Sequence, residues 1–351
     1  MRLRSVNARS VSSRLPSWCV IAFLAAASLA AAQPSSPLSI TVGDINLYGL
    51  RKVTAERILE VTGLKTGAPL PPSKGALEDE IEKIPGVVQA RVEAICCEGS
   101  HASLFIGIEE RGAPHAAFRS EPAGNEALPA SLVDSYHQYL TAVERAANRG
   151  SAAEDLTAGH PLMADPQARA YEDQFAAFAA AHLDLLRGVL RTGSEPEQRA
   201  IAATVIGYAA DKKQVTGDLQ YALQDPDESV RANAIRALNA IAVLAVKLPG
   251  LGIHIAPTWF IELLYSVVLS DRFESAKALL TLTDRPNPTA FQQIRERALP
   301  ALAEMARWKT PRYALPAFLL LGRVADMPDT EVQQAFEKGD REAVIKKALA
   351  R

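Results

Sequence analysis

The chain has 351 residues, of which 48% are hydrophobic and 22% charged, and a formal net charge of -2. The first thirty-two residues hold Arg2, Arg4, Arg9 and Arg14 and no acid, so without them the balance moves from -2 to -6. An acidic balance argues against nucleic acid as a partner, because phosphates demand clustered Lys and Arg, and about 320 remaining residues suffice for two or three domains.

Residues 1–32 read as an export signal. A basic leader precedes an unbroken small and apolar run, Cys19 to Ala32, that ends in Ala30-Ala31-Ala32. At about 1.5 Å per residue the run spans roughly 21 Å, short of the about 30 Å a permanent anchor must cross. The expectation is cleavage after Ala32, no stable transmembrane span afterwards, and residence in the periplasm or elsewhere in the cell envelope. The next most apolar run, Ala240 to Leu248, is interrupted by Lys247 and stopped by Pro249-Gly250.

Residues 38–111 change pattern repeatedly. Ile40 to Tyr48 reads as a strand ending at Gly49, and Thr54 caps a helix that Gly63 stops. After Pro69, Pro71 and Pro72, Ser73 opens a second helix with Leu77, Ile81 and Ile84 at helical spacing. Val88, Ala90, Val92 and Ala94 then alternate with polar residues, predicting a strand covered on one face. Leu104, Ile106 and Ile108 repeat the alternation after a turn at Glu98-Gly99-Ser100. Cys96 and Cys97 are neighbours, a spacing that disfavours a bond between them and predicts one buried and one exposed thiol.

The segments INLYGLRKVTAERIL, PGVVQARVEA and LFIGIEER, in the order strand, helix, helix, strand, strand, resemble a POTRA domain, an envelope module found before outer-membrane barrels. The resemblance implies binding of extended polypeptide by strand addition. The edge it points to is Val87 to Ile95, with Val87, Gln89, Arg91, Glu93 and Ile95 as candidate partner-binding residues; the alternative is that this strand is one wall of a small core.

Gly112 to Pro129, which contains Pro114, Pro122, Gly124 and Pro129, reads as a flexible linker over 112–130. Residues 131–167 hold one helix, with Leu132, Tyr136, Leu140 and Val143 on a stripe, and then a polar loop in which His160 is expected to be solvent-exposed. From 168 to 351 the pattern is helical throughout. Hairpins are expected to turn at Thr192 to Glu197, within LQDPDESVRANAIRAL (Leu223 to Leu238), near Ser270-Asp271-Arg272, and near Lys309-Thr310-Pro311.

LQDPDESVRANAIRAL, with Asp225-Pro226 closing one helix and Val230, Ala234, Ile235 and Leu238 on one face of the next, resembles a HEAT repeat. Arg199, Arg231, Lys277 and Arg312 fall early in the four second helices, separated by 32, 46 and 35 residues. They form either a charged binding ridge or a ladder joining neighbouring turns. The long middle spacing comes from KLPGLGIHIAP, Lys247 to Pro257, which either packs across the helices or is a binding loop whose Ile253 and Ile255 dock a partner.

The fold expected is therefore multidomain, a small α+β module of β-α-α-β-β order followed by an all-α solenoid. No phosphate loop, metal-ligand spacing or nucleophile elbow is visible, so no cofactor or catalytic residue is expected. The function expected is a noncatalytic exported protein-protein interaction scaffold or assembly factor of the cell envelope. Two alternatives stand beside it: the POTRA resemblance implies an accessory of outer-membrane barrel assembly or secretion, and the HEAT-like resemblance a lyase or chaperone-lyase.

Overall fold

Three strands meet first. β1 (Thr41–Tyr48) leads through Gly49 into α1 (Ala55–Thr62), α2 (Lys74–Glu82), β2 (Val87–Glu98) and β3 (His101–Glu110). The computed structural model describes residues 40–351; the expected export signal lies outside the described residues. The sheet order is β1-β3-β2, with β1 parallel and β2 antiparallel to the central β3. Local signals set both helices: the Thr54 hydroxyl accepts from Arg57 N, Gly63 closes α1 in the left-handed region, and the Ser73 hydroxyl accepts from Ala76 N.

α1 and α2 cover one face of the sheet, burying Val42, Ile45, Ile58, Ile81, Ala90, Val92, Leu104, Ile106 and Ile108 together. The other face is also covered. Tyr48 and Phe105 belong to the core of the helical region, and Ile95 packs against it. This corrects the expectation of a sheet covered on one side, and it explains why β3 carries Leu104-Phe105-Ile106 without a polar break. The register slips between Val87 and Gln89, so Val88, expected inside, is exposed while Val87 is buried. A second irregularity, between Ile95 and Glu98, takes Cys96 and Cys97 out of the strand's alternation; both are exposed and joined to each other as a disulfide, contrary to expectation.

Residues 112–129 carry no helix, as expected, but they are a strap and not a free linker. Arg119 N donates to Gln224 O, its guanidinium lies over the Tyr221 ring, Phe118 lies under the Arg231 guanidinium, and Leu128 is buried. α3 (Ala130–Asn148) buries Leu132, Tyr139, Ala142 and Ala146, leaving Leu140 exposed, because its neighbours α4 and α5 meet a stripe rotated by one residue from the expected one. A two-residue ladder, β4 (Glu154–Asp155) with β5 (Leu162–Met163), follows.

The helices then pair. α4 (Pro166–Thr192), bent at His182, is followed by α5 (Pro196–Ile206); α6 (Lys212–Ala222) by α7 (Glu228–Lys247); α8 (Thr258–Leu263) by α9 (Leu269–Leu282). The next first helix is broken into α10 (Pro288–Arg297) and α11 (Leu299–Ala306), with Pro300 at the start of α11, and is paired with α12 (Pro311–Val324). α13 (Asp329–Glu337) and α14 (Arg341–Leu349) close the row. The second helices α5, α7, α9, α12 and α14 pack in succession, which is the one-dimensional stacking expected of repeats. The third turn falls at 264–268, before the expected Ser270-Asp271-Arg272, because Ser266 holds the turn by accepting from Val268 N and donating to Asp271. α7 is long and apolar enough by composition to cross a membrane, but it lies between α5 and α9 with half of its most apolar window buried.

Candidate functional site

The β-sheet module sits on the turns of the helical pairs. At α9, the Tyr48 hydroxyl donates to Val267 O at 2.8 Å, and Leu269 N donates to Glu93 Oε1 at 2.8 Å. At α7, Arg91 pairs with Glu228 at 2.6 Å. At α11 and α12, Glu304 accepts from Gly49 N, Asn46 accepts from Lys309 N and donates to Thr310, and Trp308 packs against Tyr48 and Phe105 with ring centroids 5.4 and 5.3 Å apart. Burial pushes the Glu93 carboxyl up from its ordinary value, partly offset by the Leu269 N–H.

Beneath this contact runs a buried charge ladder. Arg199 binds Asp225 through two nitrogens at 3.0 and 2.9 Å, Arg231 binds Asp271 at 2.7 Å, and Arg272 binds Glu304 at 2.9 Å. Each arginine also donates to carbonyls of its own preceding turn: Gly193 and Ser194, Asp225 and Pro226, and Ser266. Each rung thus reaches the next pair's turn, so the ladder, not an exposed ridge, is what the charges make. Two positions are corrected: the third rung is Arg272 instead of Lys277, which pairs with Glu274 on its own helix, and Arg312 is exposed beside Tyr313. The 46-residue spacing misplaced the rung because the true turn comes earlier.

Where β1 meets α11 the two parts do not close, leaving a groove of about 760 Å³. Its apolar walls include Leu47, Leu50, Leu59, Leu64 and Trp308, and its rim carries Arg51, Lys65, Arg307 and Lys309. Among the described residues Glu304 is the sole acid in the lining, and its carboxylate is already engaged by Gly49 N and Arg272. A cationic rim over apolar walls suits an anionic, amphipathic occupant. The Trp308 indole N–H is buried without an acceptor among the described residues.

The candidate residues read from sequence lie elsewhere. Gln89, Arg91, Glu93 and Ile95 share the face of β2 that turns toward the helices; Arg91, Glu93 and Ile95 contact them, Gln89 lines a 380 Å³ cleft with Arg91, and Val87 is in the module's own core. The β2 edge itself is partly capped, since Ala90 N and Val92 N donate to the Glu82 and Glu78 carboxylates of α2 at 2.9 and 2.7 Å. In Lys247 to Pro257, Ile255 is 4% exposed and belongs to the core and Ile253 is partly buried, so the segment packs across the helices; Leu248 and Leu251 are its large apolar residues left exposed.

A buried polar cluster under residues 150–165 had no sequence signal beyond His160. Glu172 accepts from Met163 N and from the Tyr139 and Tyr208 hydroxyls, and Arg236 donates to Tyr139 and pairs with Glu154. His160, expected in solvent, is partly buried, 3.0 Å from Lys212 Nζ and tilted against the Tyr208 ring. Burial and the Lys212 ammonium push its imidazole down to about 4, and burial pushes Lys212 down to about 8. The cluster joins the 150–165 loop to the array, its Arg236–Glu154 pair lying at the surface.

The HEAT-repeat family matches residues 183–251. The match begins just after the bend at His182 and ends in the turn following α7, so it covers the end of α4 and all of α5, α6 and α7, with the whole Arg199–Asp225 rung and the arginine of the next, whose partner Asp271 lies beyond it. No curated protein matches the chain. HEAT repeats as a class mediate protein-protein contact, and the helical region of this chain is HEAT-like.

Proposed function

We propose that this protein is a noncatalytic scaffold exported to the cell envelope, where it holds protein partners. The observation that carries the reading is the groove at the junction of the sheet module and the HEAT-like array, an open space with apolar walls and a cationic rim in a contact otherwise held by hydrogen bonds and ion pairs. The order strand, helix, helix, strand, strand with sheet order β1-β3-β2 supports a POTRA-like reading of the module, and the basic, then apolar, first thirty-two residues support export. Strand addition at β2 is a weaker candidate mechanism than the sequence suggested, because its face and part of its edge are engaged within the chain.

The test is site-specific photo-crosslinking in the native cell envelope. A photoreactive phenylalanine analogue at Thr66, at the mouth of the groove, is expected to give discrete protein adducts, and the same probe at Gln174 on α4 is expected to give none of them. Identical adducts at both positions, or protease protection showing the chain to be cytoplasmic, would sink the reading.

A further inference from the structure

The backbone of β1 defines what the groove takes. Val42 N donates outward to Ala68 O, and Gly67 N donates to Val42 O, so the loop before α2 already occupies the outer side of the strand's first half. At the other end Gly49 N donates outward to the Glu304 carboxylate, which stands where the carbonyl of a neighbouring strand would stand. Peptide groups alternate in direction along a strand. The backbone N–H and C=O of Ile45 and Leu47 therefore share the outward direction of Gly49 N, and both residues line the groove. Among the described residues, nothing pairs with the edge between these two filled positions, a gap two outward-facing residues long.

Resting on the scaffold reading, we infer that this gap receives an extended, acidic segment of a partner polypeptide, which pairs with β1 at Ile45 and Leu47 while its carboxylates meet Arg51, Lys65 and Lys309. Three features select that occupant over others. The open backbone groups ask for a chain that brings its own N–H and C=O in register, which a free acyl chain or a helix does not. The apolar walls accept alternate side chains from such a chain, Leu47 and Leu50 on one side and Trp308 on the other. The charge is selective, because Lys65 and Lys309 are exposed and form no ion pair among the described residues, in a protein whose overall balance is acidic. With strands rising about 3.3 Å per residue, the gap admits a segment of about four or five residues.

The purified protein lacking residues 1–32 is titrated with three fluorescent octapeptides, blocked at both ends: alternating Val and Glu, alternating Val and Lys, and the Val/Glu peptide N-methylated on every second residue. The acidic peptide is expected to bind at least tenfold more tightly than the basic one, N-methylation to weaken it at least tenfold, and Lys65→Glu with Lys309→Glu to reverse the preference while circular dichroism and the thermal midpoint stay unchanged. Equal affinity for both charges, indifference to N-methylation, full displacement by octanoate with the same indifference, or no binding of any peptide would each overturn the assignment. Groove-specific adducts in the envelope alongside such a failure would leave the scaffold reading standing and refute only the chemistry proposed for its occupant.

Discussion

Arg231 shows how one side chain serves both the repeat and the stack. Its guanidinium is 2% exposed, holds two carbonyls of its own turn, and binds Asp271 of the next pair. Removing one partner strands the other: Arg231→Met leaves Asp271 buried without its cation and is expected to cost about 3–5 kcal/mol. The double variant Arg231→Met, Asp271→Leu is expected to lose much less than the sum of the two single changes. Urea unfolding of the four proteins measures this, and additive losses would show that the pair is not coupled. The position of Arg231 was legible from its place after Asp225-Pro226. Its partner was not, because Asp271 lies 40 residues away, while the nearer Asp225 binds Arg199.

His160 gives a prediction in pH. Its folded value is pushed down to about 4 from 6.5 by burial and by Lys212 and Arg169, against the opposing pull of Asp173. The unfolded chain therefore binds more protons than the folded one between these values. The stabilising contribution of the neutral imidazole is fully present above about 6.5 and is lost as pH falls toward about 4. In unfolding measurements across that window, the stability difference between the native protein and His160→Asn is expected to shrink as pH falls. A difference that does not change with pH would show that the imidazole titrates normally.

At the scale of elements, β2 illustrates how a strand edge is kept from pairing with other chains. Glu78 and Glu82, one helical turn apart on α2, reach across to accept from Val92 N and Ala90 N. An edge strand with unfilled donors templates association, so Glu78→Ala with Glu82→Ala is expected to make the protein self-associate with rising concentration in sedimentation velocity. A monomer unchanged across that range would mean the carboxylates are not what guards the edge. Caps and alternation made most of these elements readable: Thr54, Ser73 and Gly63 act where their residue types place them. The use of β2 was not readable, because Arg91 and Glu93 look like solvent-facing positions until the turns carrying Glu228 and Leu269 arrive from 137 and 176 residues away. The same long-range closure built the groove: β1 and α11 supply its walls, and neither segment alone signals a site.

At the scale of the molecule, the sheet module behaves as a clamp. It holds the turn entering α7 through Arg91, the turn entering α9 through Tyr48 and Glu93, and the turn entering α12 through Asn46, so three successive pairs are tied to one rigid sheet. An array of repeats held only by neighbours can unfold in stages, whereas one braced in this way gains cooperativity. Gly107 is the position where the clamp is closest. A β-carbon there would lie 2.1 Å from Val267 O and 2.6 Å from the Tyr48 ring, and the first of these is backbone that cannot swing aside. Gly107→Val is therefore expected to push the sheet off the α8–α9 turn at a cost of about 1–3 kcal/mol, while leaving the module's other face, with Ile106 and Ile108, intact. Calorimetry of the native protein is expected to show one transition, and that of the variant two, with hydrogen exchange quickening first in α8 and α9. A single transition in the variant, merely shifted to lower temperature, would show that the array is cooperative by itself and that the module only rests on it.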